Sequence, residues 1–303
     1  MYIKQALHGR HDWWLYLLGA IVIFIAWQVV GALPLGGYVA LKAMQEGSFP
    51  TTMSEIIDVI GKNSFLVLSI VSFAIGLITL FLWVKYVHKF SLLKLTTSRN
   101  RIDFKRIGIG FLMVSVVNIS LVLLDYWLSP GDYVFNFQLQ PFLILCAIAF
   151  LLLPLQTSFE EYLFRGYLMQ GLGVISKTKW WPLIVTSVIF GLMHIFNPEL
   201  DKLGYLILVY YIGTGFFLGI LTLMDEGMEL SLGYHAGNNI IGALLITSDW
   251  SAIQTDSILV DVSDPSLGFD VFTPVFIQAI ILLFFAKIFK WKGWKEKLFG
   301  NLQ

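Results

Sequence analysis

Residues 141–167 read PFLILCAIAFLLLPLQTSFEEYLFRGY, an apolar run followed directly by two glutamates and an arginine. The run predicts a membrane-spanning helix, because the hydrocarbon core of a bilayer needs about 20 helical residues. A carboxylate near the bilayer centre costs roughly 2.5 to 3.5 kcal/mol on insertion scales, and such groups usually face a bundle interior or a wet cavity. Glu160, Glu161 and Arg165, at the predicted end of this span, are therefore the first functional candidates.

The composition excludes a soluble globule of this length. Of the 303 residues, 57% are hydrophobic and only 13% are charged, which is typical of a polytopic membrane protein. The single cysteine, Cys146, excludes a disulfide framework and a thiolate metal cluster. The C-terminal tail KIFKWKGWKEKLFG is basic with interleaved aromatic residues, which indicates contact with anionic headgroups, and we expect no nucleic-acid partner.

Eight stretches are long and apolar enough to cross a bilayer. They predict an all-α protein of about eight transmembrane helices, with residues 1–303 forming one membrane domain. Their approximate bounds are 13–40, 65–86, 107–128, 139–159, 180–196, 204–224, 230–248 and 271–290.

The positions of the basic residues predict the orientation of the spans. A basic cluster between the second and third spans should stay cytoplasmic under the positive-inside rule. If the spans alternate, both termini are cytoplasmic. Of the 20 lysine and arginine residues, only Lys42, Lys62 and Lys202 then fall on the other side. The neutral pI and the lack of an organelle signal favour a bacterial plasma membrane. Glu160 then lies in the cytoplasmic half of the fourth span, so we expect the substrate to enter from the cytoplasm or laterally from lipid.

The two adjacent glutamates predict a division of tasks. Glu161 and Arg165 are four residues apart and share one face of a helix, so they can form an ion pair in a poor solvent. Glu160 points about 100° away from that face. It is left free to take a proton, and burial would suit it to general-base work.

Two further helices carry polar residues inside the membrane. His194 follows Phe190 by four residues in IFGLMHIF, and Asn239 follows His235 by four in LSLGYHAGNNI. Each pair lies on one helix face. A lone histidine can be a hydrogen-bonded packing residue, and histidine and asparagine can join helices without further function. Alternatively, the two aligned pairs line a shared cavity.

The ordered set EEYLFR, FGLMH and HAGNN resembles the CAAX protease and bacteriocin-processing family of intramembrane proteases, also called CPBP or Abi proteins. The resemblance covers roughly residues 140–250, which would form the catalytic core. It implies an intramembrane endopeptidase that cleaves a membrane-associated or lipidated protein or peptide, such as a CAAX-type tail or a leader peptide.

The resemblance also implies roles for individual residues. Glu160 would activate a water for attack on a peptide carbonyl, while His194, His235 and Asn239 line the same cavity and Asn239 donates to the oxyanion. Glu161, Arg165 and Phe190 would support them. Two mechanisms stay open: zinc held by Glu160, His194 and His235, as in a metalloprotease, or metal-free catalysis by glutamate.

Two other classes of protein compete with this interpretation. A proton-coupled transporter would use buried Glu, Arg and His as a relay. Its usual inverted repeats are missing here, since the intramembrane charges are confined to the second half of the chain. A non-catalytic membrane scaffold or immunity protein could use the same fold without cleavage.

Overall fold

The computed structural model describes residues 1–264 and 269–302 and is almost entirely helical. Short 3-10 segments lie at Ile3–His8, Pro130–Asp132 and Phe269–Phe272. We number twelve helices among the described residues: α1 Trp13–Glu46, α2 Met53–Ile60, α3 Lys62–His88, α4 Leu92–Thr96, α5 Phe104–Leu128, α6 Leu139–Ser176, α7 Trp180–Leu192, α8 Glu199–Leu203, α9 Tyr205–Asp225, α10 Glu229–Leu245, α11 Thr273–Ile288 and α12 Trp294–Phe299.

The all-α polytopic membrane fold is confirmed. Each of the eight predicted spans is a helix, and five helices within the described part of the chain are long and apolar enough to cross a membrane, namely α1, α3, α5, α6 and α9. Helices α7 and α11 are shorter apolar helices, and α10 has 17 residues. The division into one domain, residues 1–303, with a catalytic core at 140–250 stays a prediction.

The predicted bounds of the fourth and fifth spans were wrong. Helix α6 runs on to Ser176 instead of ending at 159. The hydropathy drops at Glu160 and Glu161 and so predicts the end of a span there, but the ion pair of Glu161 with Arg165 lets the helix continue. Helix α7 ends at Leu192 rather than 196. Residues 193–196 form a turn, and Pro198 disfavours helical geometry at Asn197, so the helix does not resume before that proline. His194 therefore lies in a turn after α7, not on the helix.

Helix α6 is irregular at the point where its charges lie. Pro154 follows a break at Leu152, and residues Tyr162–Leu168 form a π-helical turn within the helix. Such π turns are frequent at functional sites, because they re-aim side chains on either side of the extra residue. Phe159 anchors this part of α6, since its ring packs 4.9 Å from Trp27 of α1 and 6.0 Å from Phe73 of α3.

The two ends of the helix bundle differ in composition. One end, the terminal face, carries both termini and the loops after α3, α6 and α9. Polar contacts join its segments. The Tyr2 amide donates to Glu226, and Lys179 donates to the Glu296 carbonyl. Arg99 forms ion pairs with both Asp225 and Glu229. Both termini thus lie on one face. That this face is cytoplasmic stays a prediction.

The opposite end, the loop face, carries residues 129–138, 193–204 and 246–264. A small sheet that the sequence did not predict closes part of it, with β1 Tyr133–Phe135, β2 Ile246–Thr247 and β3 Leu259–Asp261 in the order β1-β3-β2. Strand β3 pairs antiparallel with β1 and parallel with β2. The sheet fixes the segment that follows α10 against the segment that precedes α6.

Helices α5 and α10 pack closely enough to need glycine at their crossing. A Cβ built on Gly237 would lie 2.6 Å from Val114 Cγ1, and one on Gly110 would lie 2.5 Å from the Leu230 carbonyl oxygen. Small residues at such crossings let helix backbones approach inside a membrane. This packing sets the position of His235 and Asn239 on α10.

Candidate active site

Glu161 is the centre of a buried polar cluster on α6. Its Oε1 accepts hydrogen bonds from Arg165 Nη1 and from His235 Nδ1, both at 2.9 Å. Arg165 also donates to the Gly215 carbonyl of α9 at 3.1 Å, and its guanidinium lies 4.2 Å from the Phe190 ring centre. Glu161 and Arg165 are almost completely buried, so the predicted ion pair is present and additionally ties α6 to α9 and α10.

His235 is oriented by this cluster. A carboxylate can only accept a hydrogen bond, so the contact with Glu161 makes Nδ1 the protonated nitrogen. Nε2 then faces Glu160, whose Oε2 lies 3.6 Å away. That distance is too long for a direct hydrogen bond, and a water on the cavity side of the two atoms can contact both. The second oxygen of Glu160 accepts from Gln156 Nε2 at 3.4 Å.

Phe190 and His194 approach the same place from the end of α7. The His194 Nδ1 donates to the Phe190 carbonyl at 2.9 Å, and the imidazole stacks on Tyr211 with ring centres 4.1 Å apart. The neutral imidazole therefore keeps its lone pair on Nε2. The Phe190 ring lies 5.2 Å from the His194 ring and 6.0 Å from the His235 ring, so it spaces the two histidines.

A chain of three amides fixes Asn239. Asn118 of α5 donates through Nδ2 to Asn238 Oδ1, and Asn238 donates through Nδ2 to Asn239 Oδ1, both at 3.2 Å. Asn239 thus uses its oxygen within the chain. Its own NH₂ group is left to donate elsewhere, which is the property that an oxyanion donor needs.

One cavity of about 550 Å³ brings the four predicted catalytic residues together. Glu160, His194, His235 and Asn239 line it, and Phe190 contributes to its wall. Glu161 and Arg165 lie behind the wall. The side chains of Glu160 and Glu161, although adjacent in sequence, therefore point in different directions. Glu160 faces the cavity, and Glu161 packs between helices behind the cavity wall.

The zinc site of Glu160, His194 and His235 stays a prediction. A catalytic zinc takes three protein ligands and keeps one position open. In the described residues, no group of three or more His, Cys, Asp or Glu side chains converges on a common point. His194 and His235 each donate from Nδ1 to a protein acceptor and keep Nε2 free, as zinc-binding histidines commonly do.

Sequence reasoning missed several polar residues of the site. Gln156 precedes Glu160 by four residues, and Asn118 is an asparagine within an otherwise apolar span, so helical spacing and intramembrane polarity could have identified both. Tyr211 carried no such signal. It reaches His194 only because α9 packs against α7.

The comparisons with known proteins agree with the motif set. The uncharacterized protein YyaK of Bacillus subtilis (strain 168) is 31% identical over 183 residues, which cover 60% of this chain and 61% of that relative. The match thus spans less than two thirds of the relative's length. No solved structure matches the chain. The region that holds the site, residues 139–241, matches the family model of the type II CAAX prenyl endopeptidase Rce1-like proteins, which confirms the resemblance over this region.

Proposed function

We propose that the protein is an intramembrane endopeptidase in which Glu160 activates a water for attack on a peptide bond. The observation that carries the proposal is the convergence of Glu160, His194, His235 and Asn239 on one cavity, with Glu161 held apart by Arg165. The match to a family of CAAX-type endopeptidases supports the reaction class. The substrate is a membrane-embedded or membrane-associated peptide segment.

The geometry supports a division of chemical tasks. A water between Glu160 Oε2 and His235 Nε2 gives its proton to Glu160 as its oxygen attacks the substrate carbonyl. The Asn239 NH₂ group donates to the oxygen that becomes negative in the transition state. Protonated Glu160 then returns the proton to the leaving amine, and His194 Nε2 accepts a hydrogen bond from the substrate backbone. Glu161 acts by positioning His235.

The proposed function is tested by comparing peptides in membranes that contain wild-type protein with those that contain the Glu160→Ala variant at equal abundance. We expect a set of new peptide N-termini, found by mass spectrometry, only with the wild type. The matched control is Glu46→Ala, which changes an exposed glutamate at the end of α1. Identical peptide profiles for wild type and Glu160→Ala would instead favour the non-catalytic scaffold.

Asn118 provides a test of the amide chain, because it reaches Asn239 only through Asn238. We expect Asn118→Leu to lower kcat roughly tenfold with little change in KM, since a misplaced oxyanion donor weakens transition-state binding alone. Cleavage kinetics on a substrate found in the peptide comparison measure this split. The control is Ser120→Leu, an exposed position on the same helix. A rise in KM at constant kcat would contradict the positioning role.

Chelation distinguishes the two mechanisms that the resemblance left open. If Glu160 is the base without a metal, the cleavage rate stays unchanged in 1,10-phenanthroline. The isomer 1,7-phenanthroline, which does not chelate, controls for effects of the aromatic compound on the membrane. Loss of activity with the chelating isomer alone, reversed by added Zn²⁺, would establish the zinc mechanism instead.

A further inference from the structure

The cavity occupies the half of the molecule next to the loop face. Its lining includes Phe65 to Phe73 from the first turns of α3, Gly242 and Ala243 from the end of α10, and residues 246–254 beyond it. No lining residue comes from the segments of the terminal face. The position of the cavity favours entry from the loop face over entry from the terminal face. Whether the substrate comes from the cytoplasm or laterally from lipid stays a prediction.

The charged residues around this cavity are all acidic. Among the described residues, Glu160, Glu199 and Asp261 line it, and no lysine or arginine does. A cleavage site for a free C-terminal carboxylate would need a cation or a group of aligned N–H donors to hold that carboxylate. The lining supplies separate donors at Trp250 Nε1 and the Asn239 NH₂ group, but it also supplies three carboxylates, which would repel a free carboxylate.

Glu199 and Asp261 both lack a task in the proposed reaction, but Asp261 accepts hydrogen bonds from the neighbouring Ser263. Glu199 is the more isolated of the two. Its Oε1 accepts from the Ala252 amide at 2.8 Å, while its Oε2 is buried and has no hydrogen-bond partner among the described residues. It forms no ion pair there either. Burial raises the pKa of this carboxyl, and the Ala252 amide offsets part of that effect. An adjacent cation would stabilise the charged form.

A second polar group in the same cavity also lacks a partner. Gln278 of α11 is 95% buried, and it donates through Nε2 to Thr214 while its Oε1 accepts nothing. A buried acceptor without a donor costs about 1 to 3 kcal/mol, a cost that a donor on a ligand would remove. Among the described lining residues, the cavity thus presents unsatisfied acceptors at Glu199 and Gln278 and one unsatisfied donor, Trp250 Nε1. A donor on the ligand would satisfy the two acceptors.

We propose that the part of the cavity at Glu199 is a subsite for a lysine or arginine side chain of the peptide substrate, which enters from the loop face. This inference rests on the proposed function and narrows its substrate class. The protein then cleaves an internal bond of a chain that carries a basic residue near the bond, and a C-terminal tail with a free carboxylate is disfavoured.

The test measures the charge preference of the cavity with small thiol reagents. The full chain carries Cys146→Ser, which removes its only cysteine, and Ala252→Cys as a reporter beside Glu199. The reporter is labelled with a cationic trimethylammonium methanethiosulfonate and, separately, with an anionic sulfonate one. Each rate is divided by the rate of that reagent with free cysteine, and the ratio of the two cancels changes in thiol ionisation.

We expect the cationic reagent to react faster, and Glu199→Gln to reduce the ratio roughly tenfold, as expected for one charge about 5 Å from the thiol in water. Glu46→Gln, which removes an exposed carboxylate far along the chain, should leave the ratio unchanged. Ser251→Cys is a second reporter in case Ala252→Cys perturbs the loop. A ratio near one, a ratio insensitive to Glu199→Gln, or no labelling at either reporter overturns the proposal. Labelling needs no turnover, so its outcome is independent of whether the protein cleaves peptides.

Discussion

Replacing Glu160 by glutamine is expected to lower the rate of peptide cleavage by at least about 100-fold, because the amide cannot take the proton of the attacking water. Glutamine keeps the size of the side chain and can retain the contact with Gln156. Folding should therefore be preserved. Cleavage by the purified variant in lipid nanodiscs measures the effect, and Glu46→Gln serves as the matched control.

The outcomes of this substitution also separate the competing classes of protein. Retained turnover in Glu160→Gln would exclude Glu160 as the general base. If the wild type instead carries a proton-coupled flux in proteoliposomes that Glu160→Gln abolishes, the transporter interpretation is favoured. Loss of cleavage together with an unchanged unfolding profile supports the protease.

Replacing Arg165 by methionine is expected to destabilise the fold by about 3 to 5 kcal/mol, since it leaves the Glu161 carboxylate buried without its strongest partner. The substitution also removes the contacts of the guanidinium with the Gly215 carbonyl and the Phe190 ring. The free energy of unfolding in mixed detergent micelles measures the change. Glu160→Gln, one residue from Glu161, should change that free energy far less.

A double variant tests the cause of this destabilisation. Glu161→Gln in the Arg165→Met background removes the unpaired charge, so part of the lost stability should return. An Arg165→Met variant as stable as the wild type would show that the ion pair does not hold α6 in place. A double variant that is less stable than Arg165→Met would show that the bond of His235 to Glu161 outweighs the cost of burying the charge without Arg165.

The two predictions separate chemistry from stability at adjacent positions. Glu160 lines the cavity and should affect turnover, whereas Glu161 and Arg165 lie behind it and should affect folding first. Loss of activity in Arg165→Met would follow from the displacement of His235, which shares the Glu161 oxygen. Comparing the cleavage rate with the free energy of unfolding for each variant therefore shows whether the residue acts in the reaction or in the fold.

The sequence by itself determined the membrane fold, the helical spans and the pairing of Glu161 with Arg165. These follow from local quantities: hydropathy over about 20 residues and the spacing of four residues along a helix. The three motifs also indicated the family whose model matches residues 139–241. Hydropathy failed at residue 159 and at 196, because it cannot register that a buried charge is paired or that a turn ends a helix before Pro198.

Only the tertiary structure decided how the helices meet. The contact of His235 with Glu161 joins residues 74 positions apart, and the amide chain from Asn118 to Asn239 joins α5 to α10. The crossing at Gly110 and Gly237 brings α5 and α10 close enough for the amide chain. Such contacts depend on which helix faces pack together, and that is fixed by the sum of many small packing energies rather than by any local pattern. For the same reason the position of the cavity near the loop face, and with it Glu199, could be found only in three dimensions.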